Sequence, residues 1–154
     1  MTIPPGDRLF CDTNVLLCAV DRKRPLNSQA VRVLNSLPNS GVELCICGQV
    51  LREFLAVCTR PVSANGLGQR LANALENAEA IMDRSTILEE TQEVTRRLLS
   101  VVRAADCSGK QVHDANIVAI MLGHGVRRLI TDNLGHFRRF GEIELVDLAG
   151  LSVS

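Results

Sequence analysis

Short apolar segments alternate along this chain with longer segments of helical periodicity, and this alternation limits the fold more than any other feature. The runs "RLFC" (8–11), "VELCICG" (42–48), "RLIT" (128–131) and "IELVDL" (143–148) are predicted strands, and "STILEE" (85–90) is a weaker one. Strands that alternate with helices pair in parallel through right-handed crossovers. The sequence therefore predicts a three-layer α/β/α fold around a central, mostly parallel sheet of about five strands.

The segments between these runs show helical periodicity, in which apolar residues recur every three or four positions. This periodicity predicts helices at 13–20, 27–41, 49–61, 67–83, 89–105 and 112–125. We expect Asn27 or Ser28 to cap the second helix and Pro38 to end it. No linker or repeat divides the 154 residues, so we predict one domain over 1–154, with a helical arm at about 65–105.

Composition excludes several classes of protein. Hydrophobic residues make up 46% of the chain and charged residues 22%, a balance typical of globular rather than disordered proteins. The apolar runs are too short to span a bilayer, and the start "MTIPPGDR" lacks a secretory signal pattern. We therefore expect a cytoplasmic protein that does not associate with membranes.

Cysteine and arginine are the two unusual components. The six cysteines form no C-x-x-C pair, and most lie in apolar stretches, where a free thiol acts as a small hydrophobic side chain. Reduced thiols are therefore expected rather than a zinc site. The net charge is zero, so no overall field attracts nucleic acid. Arginine clusters at 21–25, 126–129 and 137–140 fit either a solvated surface or contacts to phosphate.

Four acidic residues occupy equivalent places in this scheme. Asp12 and Asp132 each follow a predicted strand, whereas Glu53 and Asp114 lie in the first turns of predicted helices. Taken singly, each aspartate fits a helix cap, and Glu53 fits a surface pair with Arg52 or Arg60. Taken together, all four belong to the edge of a parallel sheet at which ligand sites are built.

Carboxylates that gather at one point repel one another and take up protons unless cations keep them ionised. A set of oxygen ligands without His or Cys suits Mg²⁺ or Mn²⁺, with one or two ions at the site. Neighbouring groups that would orient the carboxylates or a bound water are Thr13, Asn14, Thr131 and Asn133. Two such ions can clamp the attacking and leaving oxygens of a phosphodiester.

The motifs "DTNVLL" after the first strand, "REF" after the second, and "HDANIVAIMLGHGVRRLITDN" followed by Phe137 resemble those of the PIN-domain ribonucleases, which include the VapC toxins. The resemblance spans residues 8–148. It implies a parallel sheet flanked by helices, with a helical pair between the second and third strands. Asp12, Glu53 and Asp114 match the acidic ligand positions of that family.

The chain departs from this family pattern after Thr131. Many relatives carry the fourth acidic residue two positions after the threonine, where this chain has Asn133, and others carry it at the neighbouring position, where this chain has Asp132. Relatives also often have Asp directly before the phenylalanine, where His136 stands here. We take Asp132 as the fourth member of the acidic set.

The resemblance implies an endoribonuclease that cleaves RNA with a metal-activated water, as the toxin of a toxin–antitoxin pair. It also implies a small antitoxin partner and a homodimer. Expected contacts to the RNA backbone are Arg52, His136, Arg138 and Arg139. Two alternatives remain open from the residues alone: a PIN-like RNA-binding module with weak catalysis, and a metal-dependent phosphatase.

Overall fold

The computed structural model describes residues 1–152, so the last two residues of the predicted domain 1–154 lie outside it. This part of the chain forms five strands: β1 (Arg8–Cys11), β2 (Glu43–Cys47), β3 (Thr86–Leu88), β4 (Arg128–Thr131) and β5 (Glu144–Asp147). It also forms six α-helices: α1 (Thr13–Val20), α2 (Asn27–Asn39), α3 (Gly48–Thr59), α4 (Leu71–Asp83), α5 (Gln92–Ala105) and α6 (Gln111–Gly123). Short 3-10 helices cover Val62–Ala64, Leu134–His136 and Leu148–Gly150.

The five strands form one sheet in the order β3-β2-β1-β4-β5, and each neighbouring pair is parallel. β1 lies at the centre, where Phe10 pairs with Cys45 of β2 on one side and with Leu129 of β4 on the other. The prediction of a parallel sheet of about five strands is confirmed, including the weaker strand at 86–88.

The path of the chain places helices on both faces of this sheet. From β1 the chain moves outward through α1 and α2 to β2, and through α3 and α4 to β3 at the edge. It then returns through α5 and α6 to β4, on the other side of β1. Because right-handed crossovers in opposite directions lie on opposite faces, α1–α4 and α5–α6 form separate layers. Helix contacts agree: α1 packs against α2 and α3, and α5 packs against α6.

The core fills the space between these layers. Residues 9–11 of β1 and 129–131 of β4 are completely buried, as expected for central strands covered on both faces. All six cysteines are free thiols, and five are buried. In the described part of the chain, no helix combines the length and the apolar character needed to cross a membrane.

The structure corrects the predicted bounds of α2. Pro38 lies inside this helix, which continues to Asn39, and the Ser40 N–H then bonds the carbonyls of Ser36 and Leu37. A proline in the last turn removes only one helical hydrogen bond, so it does not stop the helix there. Asn27 does not cap the helix either. Its side chain instead donates to the Cys18 carbonyl at the end of α1.

The starts of α4 and α5 also differ from the prediction. Residues 67–70, predicted as helix, run back along the end of α3, where the N–H groups of Leu67 and Gln69 donate to the carbonyls of Val57 and Cys58. α5 begins at Gln92 rather than at 89, because the Thr91 hydroxyl accepts a hydrogen bond from the Val94 N–H and caps the helix. Between the two helices, β3 pairs with β2 at the sheet edge.

We predict that Gly123→Ala destabilises the protein, although alanine favours a helix over glycine. A Cβ atom at Gly123, the last residue of α6, would lie 2.7 Å from a methyl group of buried Val94 on α5. Valine is stiff about χ1, so the clash should lower the free energy of unfolding by about 1–3 kcal/mol. Urea denaturation measures this change.

Two variants control this experiment. Gly48→Ala, also in a helix, places its Cβ in ordinary contact at 3.5 Å from Arg52, and it should not destabilise. Val94→Ala removes the obstructing methyl group, so adding Gly123→Ala to that variant should cost less than in the wild type. An equal loss of unfolding free energy in both backgrounds would show that contact with Val94 is not what destabilises Gly123→Ala.

Candidate active site

The candidate site lies where the order of strands reverses, at the carboxyl ends of β1 and β4. Asp12 follows β1 directly, and Asp132 follows β4 directly. Glu53 comes from α3, which begins at the end of β2, and Asp114 comes from the first turn of α6. In open α/β sheets this reversal leaves a crevice at which ligands bind.

Asp12 is the buried member of the set, with a relative exposure of 9%. One of its carboxylate oxygens accepts a hydrogen bond from the Thr13 N–H at 2.8 Å, and the other accepts from the Thr131 hydroxyl at 3.0 Å. Asp12 is thus the N-cap of α1. Asp12 therefore caps a helix and also lies near other acidic residues, so its role as a cap does not exclude a role in the site.

Burial raises the pKa of Asp12 from 3.8 to about 6. The hydrogen bonds from Thr131 and Thr13 favour the charged form and lower this pKa, whereas the nearby carboxylates of Asp114 and Asp132 raise it further. The two neutral donors therefore offset only part of the cost of placing a charge here. A positive charge bound near Asp12 would lower its pKa further and stabilise its ionised form.

Thr131 connects the ends of the two central strands. It is fully buried, and its hydroxyl donates to Asp12 while accepting a hydrogen bond from the Asn133 N–H at 3.0 Å. The Asp12 N–H also donates to the Ile130 carbonyl. Thr131 and Asn133 thus lie where the sequence analysis expected them, beside the acidic residues.

Glu53 is exposed on α3, but both of its carboxylate oxygens are held. One accepts a hydrogen bond from the Thr13 hydroxyl at 2.9 Å, and the other accepts from the Gln49 side-chain amide at 3.0 Å. Within residues 1–152, Glu53 forms no ion pair with Arg52 or Arg60. The structure therefore does not support the alternative of a surface salt bridge.

Asp114 is half-buried in the first turn of α6, three residues after the helix begins at Gln111, so it is not the helix cap. Burial raises its pKa, and the nearby Glu53 carboxylate adds to this effect. His136, His113 and Arg139 act in the opposite direction. Since Asp114 also raises the pKa of Asp12, the carboxylates of α3, α6 and β1 influence one another.

Asp132, like Glu53, lies on the exposed side of the acidic set. Its side chain is exposed, and one oxygen accepts a hydrogen bond from the Cys18 thiol, at a sulfur–oxygen distance of 3.6 Å. It lies close enough to Asp12 to raise the pKa of that residue. Asp132 therefore belongs to the same anionic region, at its solvent side.

The predicted RNA contacts are all exposed, but they differ in their distance from the acidic set. The His136 Nε2 atom lies 3.1 Å from the Asn133 amide nitrogen, and Arg139 donates to Gln111 at the start of α6. Both lie near enough to Asp114 to lower its pKa. Arg52 and Arg138 form no side-chain hydrogen bond within residues 1–152, and neither does the half-buried Asn14.

Sequence reasoning missed a second group of polar residues behind Glu53. Gln49 is 7% exposed, and its amide bonds Glu53, the His113 carbonyl and the Asn116 side chain. Asn116 also donates to Glu90, which follows β3. Two features of the sequence could have indicated this group. One is a glutamine four residues before Glu53, and the other is an asparagine within the apolar segment 115–121.

The donor chemistry of the site fits a hard divalent cation. The acidic residues offer oxygen atoms, and none of them forms an ion pair with Lys or Arg in the described residues. No group of three or more Asp, Glu, His or Cys side chains in residues 1–152 lies close enough together to hold a metal ion, so the four carboxylates do not converge as tightly as the sequence analysis expected. Mg²⁺ usually keeps several waters and binds through one or two carboxylates, so an open arrangement of this kind suits it.

Solved structures of known proteins share this fold. VapBC2 from Rickettsia felis, bound to a DNA fragment from its promoter, matches with a TM-score of 0.69 and 14% identity, over 91% of this chain and 98% of that one. DNA-bound VapBC from Salmonella typhimurium matches with a TM-score of 0.67 and 17% identity, over 92% and 98%. VapC20 from Mycobacterium tuberculosis, a toxin that cleaves the sarcin-ricin loop, matches with a TM-score of 0.58 and 17% identity, over 79% and 86%.

Sequence comparisons place the chain in a family without identifying a near relative. No curated protein matches it in sequence. The profile of the PIN domain matches residues 9–143, which include all four acidic residues and the first four strands apart from Arg8, and which end just before β5. The chain therefore belongs to the PIN domain family.

Proposed function

We propose that this protein is a Mg²⁺- or Mn²⁺-dependent endoribonuclease and the toxin component of a toxin–antitoxin pair. The observation that carries this proposal is the buried carboxylate of Asp12, held by neutral donors among other carboxylates and left without a basic partner in residues 1–152. A purely structural carboxylate would be cheaper to bury beside an arginine. A cation bound beside Asp12 would stabilise the ionised carboxylate.

The comparisons support the choice of substrate. PIN domains are nucleases, and VapC20, which has the same fold, is a toxin that cleaves the sarcin-ricin loop. A phosphodiester brings negative charge into a region that is already anionic. This favours chemistry with a divalent ion over a simple binding module, because the ion neutralises both the carboxylates and the phosphate.

The residues divide the work of the proposed reaction. Asp12 and Asp114, with Glu53 and Asp132 beside them, would hold one or two ions. The ion supplies a Lewis acid that activates water and stabilises charge on the phosphate. Thr131 and the Thr13 N–H fix both oxygens of Asp12, and the Thr13 hydroxyl fixes one oxygen of Glu53. These neutral donors orient the carboxylates without cancelling their charge.

Arg139 and His136 are the groups best placed to contact the RNA backbone. Both are exposed, and both lie close enough to Asp114 to lower its pKa, so they border the acidic region on its solvent side. Aromatic residues make up 3% of the chain, with no Trp or Tyr, so few side chains can stack on bases. We therefore expect recognition through phosphate position and RNA shape rather than base stacking.

The partner in this proposal is a small antitoxin protein. The structural neighbours from Rickettsia felis and Salmonella typhimurium were solved as VapBC complexes, which supports a partner of the VapB kind for this chain. The anionic region favours an antitoxin that inserts a basic side chain, since an arginine would meet the same carboxylates as the cation. We also propose a homodimer, on the family resemblance alone.

We predict that Asp12→Asn abolishes cleavage of RNA. The amide keeps an oxygen for the Thr13 N–H but removes the charge that attracts the cation, so the rate should fall by at least about 100-fold. Cleavage of a mixed RNA substrate with Mn²⁺, followed on a denaturing gel, measures this loss. Addition of a chelator should reduce the wild type to the same level.

Asp83→Asn is the matched control, because Asp83 is exposed at the end of α4 and its side chain forms no hydrogen bond or ion pair within residues 1–152. It should cleave like the wild type. Cleavage that survives both Asp12→Asn and the chelator would reject the proposed chemistry. Hydrolysis of a chromogenic phosphate ester without cleavage of RNA would favour the phosphatase alternative.

We predict that the metal-free protein loses stability as the pH rises. Asp12 has a pKa of about 6 when folded, against about 3.9 in an unfolded chain, so the folded state binds more protons in this range. The free energy of unfolding should therefore fall between about pH 4 and pH 7, by an amount of the order of 3 kcal/mol from this residue. Chemical denaturation in the presence of a chelator measures it.

Asp12→Asn should lose much of this pH dependence and should be more stable than the wild type at pH 7.5 without metal. Millimolar Mn²⁺ should raise the Tm of the wild type at that pH and leave the Tm of Asp12→Asn nearly unchanged, because only the folded wild type binds the ion tightly. If the free energies of unfolding of the two proteins changed equally with pH, this result would contradict a raised pKa of Asp12.

A further inference from the structure

We propose that Gln49 is a positioning residue that orients the Glu53 carboxylate toward the divalent ion and sets its spacing from Asp114. This inference rests on the proposed metal-dependent function and extends it to a residue outside the acidic set. It starts from the position of Gln49, the second residue of α3, one helical turn before Glu53 on the same side of the helix.

The hydrogen bonds of Gln49 determine which way its amide points. The amide nitrogen donates to the His113 carbonyl at 3.1 Å and to a Glu53 oxygen at 3.0 Å, and both of these groups are acceptors. The amide oxygen must then face Asn116, which donates to it at 2.8 Å. Glu90 accepts the other N–H of Asn116, so the orientation of the second amide is consistent with the first.

This network fixes a side chain that would otherwise be mobile. Glu53 is exposed, and a glutamate on a helix surface has many accessible rotamers. The Thr13 hydroxyl holds one of its oxygens from α1, and Gln49 holds the other from within α3. Both donors are neutral, so Glu53 keeps its full charge for a cation, which a lysine or arginine partner would offset.

Gln49 also links the two helices that supply the acidic residues. The carbonyl that it contacts belongs to His113, the residue directly before Asp114. One buried amide therefore bonds Glu53 on α3 and the backbone next to Asp114 on α6. Among the side-chain hydrogen bonds of residues 1–152, those of Gln49 alone join these two helices. Loss of the amide should loosen both the Glu53 rotamer and the distance between the two carboxylates.

A double-mutant cycle on Mn²⁺ affinity separates positioning from a merely structural role. The four proteins are the wild type, Gln49→Met, Glu53→Gln and the double variant, and the Kd of Mn²⁺ alone is measured by electron paramagnetic resonance. Gln49→Met keeps the length of the side chain and removes its polar atoms. We expect its Kd to rise about tenfold, as for other groups that orient metal ligands.

In the Glu53→Gln background, we expect Gln49→Met to change the Kd by less than about twofold, because the carboxylate that it positions is gone. A structural role would instead give the same loss in both backgrounds, and this result would overturn the inference. An unchanged Kd in Gln49→Met, or in Glu53→Gln alone, would also overturn it. Absence of Mn²⁺ binding by the wild type would reject the proposed function itself.

Two further variants control for folding. Gln92→Met makes the same substitution in the first turn of α5, where the glutamine is exposed, and its Kd should equal that of the wild type. Gln49→Ala removes the same donors without adding an apolar side chain, and it replaces Gln49→Met in the cycle if circular dichroism shows that the latter is unfolded. The same non-additive pattern with Glu53→Gln is then expected.

Discussion

The burial of Asp12 between the ends of β1 and β4 is the constraint on which the rest of the site depends. The chain builds one half of the sheet outward from β1 and then returns to build the other half, so the two halves diverge at this point. The first residue beyond β1 is a carboxylate with 9% exposure, and its oxygens are taken by the start of α1 and by the end of β4. The Asp12 side chain therefore caps α1, bonds the end of β4 and belongs to the acidic set.

The electrostatics of the site follow from the choice of neutral donors. Threonine hydroxyls, backbone N–H groups and side-chain amides orient Asp12 and Glu53, while arginines elsewhere pair with other acidic residues, as Arg8 does with Glu43 and Arg128 with Glu144. A neutral donor orients a carboxylate and leaves its negative charge in place. An ion pair would instead offset that charge and weaken the attraction for a cation. Burial raises the pKa of Asp12, and the neutral donors offset only part of this effect.

The sequence alone was sufficient to predict the sheet and to select the four acidic residues as candidates, because both steps depend on one-dimensional patterns. Apolar runs such as "RLFC" and "RLIT" mark buried parallel strands, and parallel strands bring the residues after them to one edge. The network of Gln49 and Asn116 could not be found in this way, since it depends on which faces of α3 and α6 meet. The predictions for the cap of α2 and the start of α4 were wrong for a similar reason, because Asn27 bonds the Cys18 carbonyl, and residues 67–70 bond the Val57 and Cys58 carbonyls.

The four carboxylates form a gradient from the core to the solvent, and this gradient gives them different parts in the proposed reaction. Asp12 is buried, Asp114 is half-buried, and Glu53 and Asp132 are exposed. A cation is drawn most strongly to the least solvated charge, because water screens the exposed carboxylates and does not screen Asp12 to the same degree. In the proposed reaction Asp12 would therefore anchor the ion, and the exposed carboxylates would lie on the side from which RNA approaches. The departure from the family pattern after Thr131 then falls on the solvent side, at the exposed Asp132, and not at the buried Asp12.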